Sequence, residues 1–233
     1  IYILPQLSFE EVKEYIAAHH FDYPFCVKPD VGMKGLLFRK IENEKDLRYY
    51  HEMMPVEYIV QELVDYEMEI SVFYYRYPDQ QKGVITGFIQ KELMEVKGNG
   101  HQTVLELIQA HPKASLREAE MRSKHAGHLT TVLPAEQRYY LSHAANLNRG
   151  ARFINLEHLI DAPLHQLFDY LSFKGTFYYG RYDIKCASIE DLKEGKNFSI
   201  LEFNGSGAEP NHVYNAGLTL RQAHKVILQH WKV

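Results

Sequence analysis

The stretch FSILEFNGSG, residues 198–207, begins as an apolar β-strand and ends by setting a carboxylate and an amide, Glu202 and Asn204, two residues apart before a glycine turn. Side chains at i and i+2 point to one face of a strand, so these two project side by side. Taken alone, the pattern also describes a solvated strand end. The strand-like run before it, YGRYDIKC at 179–186, changes the reading: Arg181, Asp183 and Lys185 share one face, and Tyr182, Ile184 and Cys186 the other. Paired as a hairpin, the two runs bring Asp183 near Glu202 and Asn204. Two carboxylates about 5 Å apart repel by roughly 3 kcal/mol at an effective dielectric of about 20, so such a cluster needs a cation. Hard oxygen donors suit Mg2+, which takes one or two carboxylates and completes its shell with phosphate oxygens and water. Arg181 would then face the phosphate. A surface hairpin of alternating charge is the other reading these residues allow.

Upstream, SFEEVKEYIAAHHF (8–21) reads as an amphipathic helix with Ser8 and Glu11 as a capping box and Phe9, Val12, Tyr15 and Ile16 on one face. Strand PFCVKP (24–29), the glycine-containing DVGMKG (30–35), strand LLFRKI (36–41), a helix from about Glu44 to Met54 and strand EYIVQELV (57–64) follow. Lys28, at a strand end before the glycines, can put its ammonium on phosphate oxygens, though a lysine snorkelling to solvent fits equally. It is not a Walker loop, whose G-x-x-x-x-G-K-[ST] spacing is absent. Glu62 closes one strand and Glu69 opens the next, EMEISVFYYR (67–76); the link between them can offer backbone groups to a purine edge and a carboxylate to ribose, or be an ordinary hinge. GVITGFIQKELMEV (83–96) is one long strand or two, Thr103 caps a short helix, 115–129 is a weaker helix, and APLHQLFDYLSF (162–173) is clearly amphipathic. A polar link, 188–197, joins the two final strands, and a helix closes the chain from about Thr219 to Trp231. The pattern is α+β in two lobes joined near 61–65.

The order of these parts resembles the ATP-grasp family over roughly residues 5–230. VKGNGHQTVLELI (96–108) and AANLNRGARFIN (144–155) are similar to the carboxylate–amine ligases that include cyanophycin synthetase, and GRYDIK with LEFNGSG to D-alanine–D-alanine ligase. The resemblance implies an ATP-grasp fold of two α+β lobes with ATP held between them: 1–63 a small lobe with a glycine-loop lid, 64–233 a large lobe with a Mg2+ site. It implies that Lys28 contacts the α and β phosphates under a lid containing Gly32, Lys34 and Gly35. Glu62 and Leu63 would offer hinge backbone to adenine, and Glu69 would bind ribose. Asp183, Glu202 and Asn204 would hold two Mg2+ ions, with Arg181 facing the transferred phosphoryl group. The implied activity is an ATP- and Mg2+-dependent ligase that activates a small carboxylate as an acyl phosphate for attack by an amine, the pair being amino acids or peptides. Departures limit the transfer: the lid is glycine-poor, and Arg149 and Ala151 replace small residues and a second glycine. Arg149, Glu209, Asn211 and His212 are candidate substrate contacts. The alternatives are a nucleotide-binding regulatory or assembly module without turnover, and an ATP-grasp kinase.

The formal net charge of −4 points away from nucleic acid and anionic membranes, and no apolar run approaches a membrane span, so a cytoplasmic protein is expected. Cys26 and Cys186 match no metal or redox spacing and are expected as buried apolar residues. The pair in HAGH, His125 and His128, is expected on a solvated face. The chain opens at Ile1 directly into a structured-looking run, which suggests an upstream domain of the same protein.

Overall fold

The computed structural model describes residues 1–31, 37–142, 145–214 and 217–232. Contacts divide the chain into two compact units, Ile1–Asp65 and Tyr66–Val233.

In the first unit, β1 (Tyr2–Ile3) leads into α1 (Phe9–Ala18), whose N-terminus is closed by the reciprocal bonds of Ser8 and Glu11. Phe9, Val12 and Ile16 are buried, whereas Tyr15, expected on that face, is 41% exposed and packs edge-on against His19. Next come β2 (Phe25–Pro29), β3 (Arg39–Ile41), α2 (Glu44–Met53) and β4 (Tyr58–Glu62). Of the strand expected over 36–41, Leu36 lies outside the described residues and β3 takes the last three; Leu37 has a left-handed backbone with φ 60°, which does not belong to a strand. The sheet runs β1-β4-β2-β3, all antiparallel, and Phe25, Val27, Tyr58 and Val60 pack with Leu47 and Tyr50 of α2.

The second unit contains β5 (Met68–Tyr75), β6 (Val84–Glu92), β7 (Glu95–Lys97), α3 (Val104–Ala110), α4 (Glu118–Lys124), β8 (Arg138–Tyr140) and β9 (Arg152–Asn155). It continues with α5 (Ala162–Gly175), β10 (Tyr179–Cys186), α6 (Ile189–Lys193), β11 (Phe198–Asn204) and α7 (Leu220–His230). Five antiparallel strands form the main sheet in the order β11-β10-β5-β6-β9. The segment 83–96 is two strands, because Met94 turns into a separate small core with Val104, Ile108, Met121 and Leu141. The polar link 188–197 contains α6, capped by Ser188, whose Ile189 and Leu192 are buried.

Strand alternation gives the main sheet two unlike faces. Ile70, Val72, Tyr74, Phe88, Tyr182 and Ile184 form one face and are covered by Leu164 and Phe168 of α5 with Leu192 of α6. The opposite face carries the polar residues described below. Cys26 and Cys186, one in each unit, are buried as expected. His125 departs from expectation: it is buried, its Nε2 donates to the Leu141 carbonyl at 3.2 Å, and Nδ1 accepts from the Tyr139 hydroxyl at 2.9 Å. The small core draws it in, while His128 remains exposed. Among the described residues no helix is long and apolar enough to cross a membrane.

Candidate functional site

The hairpin expected from the two C-terminal strands is present, with Asp183 opposite Glu202 and Arg181 opposite Asn204. A bulge follows between Asp183 and Ile184, where Ile184 pairs with Ile200. On its other edge β10 sets Asp183 opposite Ser71 and Lys185 opposite Glu69, and β5 in turn sets Glu69 opposite Lys91 of β6. Directly opposed residues in an antiparallel pair project from the same face. Four strands therefore converge Lys91, Glu69, Ser71, Asp183, Arg181, Glu202 and Asn204 on the face away from α5.

Asp183 is the hub, with a side chain 7% exposed. Its Oδ1 accepts from the Ser71 hydroxyl at 2.7 Å and from Arg181 Nε at 3.1 Å, and lies 2.9 Å from Lys91 Nζ. Its Oδ2 accepts from Arg181 Nη2 at 3.1 Å and from Asn204 Nδ2 at 3.2 Å. Burial pushes the Asp183 carboxyl up, but the Lys91 and Arg181 charges and the bonds from Arg181 and Ser71 outweigh it and hold the group below the usual range. Glu69, 3.5 Å from Lys91, goes the other way: burial raises it, Lys91 pulls it down only in part, and the Asp183 charge adds to the rise.

The loop after β11 is tied to the same hub. Arg181 Nη1 donates to the Glu209 carbonyl at 3.2 Å, and Asn211 Nδ2 donates to Ser71 Oγ at 3.1 Å. Asn211 and Glu209 thus contact the cluster, Glu209 through its backbone. His212 does not: only 2% exposed, it packs edge-on against Phe73 and beside His230, which removes it from any surface a substrate could touch. Arg149 is also elsewhere, 3.5 Å from Glu120 of α4. In the first unit, Lys28 is half-buried in β2 opposite Ile59, and Glu62 is exposed at the end of β4 with Leu63 beyond it. Gly32, Lys34 and Gly35 lie outside the described residues.

For Mg2+, the oxygen donors of Asp183, Glu202 and Asn204 on one face are of the right chemical kind. Among the described residues no group of three or more His, Cys, Asp or Glu could hold a metal by itself. The set fits a cation that draws part of its shell from a ligand. The Arg181 guanidinium is engaged with Asp183 through two nitrogens, Nε and Nη2. The sequence reading missed Lys91 and Ser71. Neither sits in a motif; the signal was a lysine inside an apolar strand, whose partner could be found only by pairing β5 with β6 in the correct register.

The chain is similar to the VanG D-Ala:D-Ser ligase from Enterococcus faecalis, with a TM-score of 0.51 and 13% identity over 99% of this chain and 55% of that one. The chain has the ATP-grasp fold. More distant matches include a bifunctional glutathione synthetase from Pasteurella multocida (TM-score 0.47, 16% identity, 100% of this chain and 34% of that one). The ATP-grasp ligase PsnB also matches, with a TM-score of 0.46 and 14% identity over 99% of this chain and 52% of that one. The chain thus spans between about a third and just over half of these proteins. No family model matches it, and no curated protein matches it. At such identities the likeness is one of fold.

Proposed function

We propose that the chain is the nucleotide-binding part of an ATP-dependent ligase that activates a carboxylate as an acyl phosphate for attack by an amine. The single observation carrying this reading is the Asp183 cluster: two cations and an oxygen-donor set drawn from four strands onto one face of an ATP-grasp sheet. Phosphoryl transfer asks a protein for positioning and charge neutralisation, and Lys91 and Arg181 supply positive charge beside a fixed carboxylate. In the proposed reaction a carboxylate oxygen takes the terminal phosphoryl group and ADP leaves. The amine nitrogen then attacks the acyl carbon, and phosphate departs with the bonding pair. Mg2+, when bound by Asp183, Glu202 and Asn204, would neutralise the polyphosphate. Lys28 is assigned to the phosphates, Glu62 and Leu63 to the adenine, Glu69 to the ribose or, through Lys91, to the charge balance of the cluster. The acid and the amine are proposed to be amino acids or peptides, with Glu209 and Asn211 on the acceptor side.

The test is calorimetry with Mg-ATP together with ADP release by the full-length protein over amino-acid and peptide pools. The Asp183→Ala, Glu202→Ala double variant is expected to lose Mg-ATP binding and turnover. Wild-type affinity and activity in that variant would remove the assignment. Turnover that requires an acid but no amine would replace ligase by kinase, and binding without any turnover would replace it by a regulatory module.

A further inference from the structure

Charge is unevenly spread along the chain. Residues 210–233 hold Arg221, Lys225 and Lys232 and no acidic residue, so residues 1–209 keep 23 of the 26 Lys and Arg against all 30 Asp and Glu: the last 24 residues are +3 and the rest −7. Helix α7 carries the positive segment, and its exposed side is ordered. At 3.6 residues per turn, Leu220, His224, Leu228 and Trp231 fall in one row, and Arg221, Lys225 and Lys232 in the next row round the helix. Trp231 and Lys232 continue the helical turn, their N–H groups donating to the Ile227 and Gln229 carbonyls at 3.1 Å. Leu220, Leu228 and Trp231 are 73%, 55% and 79% exposed. The opposite side fixes the helix: His230 is buried edge-on against Phe73 and lies 2.8 Å from the Thr86 hydroxyl. Among the described residues none of the three α7 cations forms an ion pair, whereas exposed cations on other helices, Arg48 and Arg122, do.

We infer that the exposed side of α7 docks an acidic amphipathic helix of a partner protein, whose apolar ridge meets the Leu220–Trp231 row and whose carboxylates meet Arg221, Lys225 and Lys232. Side chains spaced three and four residues apart form a ridge that seats between those of a second helix, the pattern of anchors used in helix docking. Charge selects the occupant. A nucleic acid would engage the cations, but it would set Leu220 and Leu228 against phosphate, and as an extended polyanion it would also meet the −7 of the remaining chain. An anionic bilayer is extended in the same way and asks for a broad apolar face, whereas Ala223, Val226 and Ile227 of α7 are half-buried on the packed side. A short helix reaches no further than α7, and charges beyond about 10 Å are largely screened from it. In a second copy of this chain, two α7 faces meeting about a twofold axis would set cation against cation.

Trp231 is the only tryptophan in the chain, so its emission reports this face directly. The probe is a synthetic peptide with leucines at helical spacing flanked by glutamates, titrated into the full chain without nucleotide, beside the same peptide with every Glu replaced by Gln. The Glu peptide is expected to shift Trp231 emission to the blue, with an affinity that falls at least about tenfold between about 0.05 M and about 0.5 M salt. The Gln peptide is expected to bind at least about tenfold more weakly. Arg221→Glu combined with Lys225→Glu should weaken the Glu peptide at least about tenfold, and Leu228→Ala by about three- to tenfold. All three positions are exposed, and an unchanged thermal transition checks the fold; if the variants do not fold, the Glu and Gln peptides decide alone. No shift with the Glu peptide, or equal binding of the two peptides, overturns the inference. So does a larger Trp231 response to phosphatidylserine vesicles or to oligothymidylate than to the Glu peptide, which would make the occupant a membrane or a nucleic acid. A blue shift that grows with protein concentration alone, with a dimer in sedimentation, overturns it in favour of a second copy. None of these outcomes bears on the ligase reading, which is tested with Mg-ATP.

Discussion

His212 carries two ring nitrogens that find no hydrogen-bond partner among the described residues, in a site closed by Phe73 and His230. Burial, with the neighbouring His230 adding to it, pushes its pKa down to about 4. In the unfolded chain a histidine titrates near 6.5, so between about 6.5 and about 4 the unfolded state binds the extra proton. Stability is complete above that window and falls with decreasing pH, by up to about 1.4 kcal/mol per unit. His212→Phe should therefore flatten the acid limb of a urea-denaturation series between pH 6.5 and 4.5 while changing stability little at pH 8; an unchanged limb would contradict this. Asp183 acts in a lower window. Its depressed pKa contributes stability above its ordinary carboxylate range and loses it as the pH falls below that range. Lys28 is testable at the same scale: Lys28→Ala should weaken ATP more than adenosine in calorimetry, and equal losses for both would show that it touches no phosphate.

At the scale of elements, the β10–β11 hairpin delivers half of the cluster, and its register depends on a close backbone approach at Gly180. A Cβ there would stand 2.3 Å from the Asn204 carbonyl oxygen and 2.7 Å from the Phe203 ring. Gly180→Ala should push the end of β11 away, costing about 1–3 kcal/mol of stability and lowering Mg-ATP affinity through Asn204 without touching a proposed ligand. An Ala variant with wild-type stability and affinity would mean that the strands separate at no loss. The hairpin was legible because alternation places Arg181, Asp183, Glu202 and Asn204 by parity alone, and the caps of α1 and α3 were legible because Ser8–Glu11 and Thr103–Glu106 are local signals. What parity cannot give is the partner across a sheet. Lys91 and Ser71 join the site through non-consecutive residues of β5, β6 and β10, and His212 and His125 are claimed by cores assembled from distant segments. Each of those outcomes is a tertiary contact overriding a locally polar pattern.

Over the whole molecule, each unit encloses its own apolar core, one around Phe25, Tyr50 and Tyr58, the other around Tyr74, Phe168 and Tyr182. Chains of this kind commonly depart from two-state unfolding. Ile41→Ala in the first unit and Ile184→Ala in the second each remove a side chain at most 1% exposed, at about 2–5 kcal/mol. Differential scanning calorimetry should show two transitions, with each variant lowering a different one; a single peak lowered by both would refute the division. The two cysteines then acquire a use. Cys186 is fully enclosed, and burial, helped by Asp191, lifts its thiol to about 11, so it exists almost entirely in the unreactive protonated form at neutral pH. Cys26 is shut into β2 of the other unit. With one sulfhydryl per unit and no others in the sequence, alkylation followed by peptide mass mapping becomes a pair of independent clocks, each timing how often its own half of the chain opens.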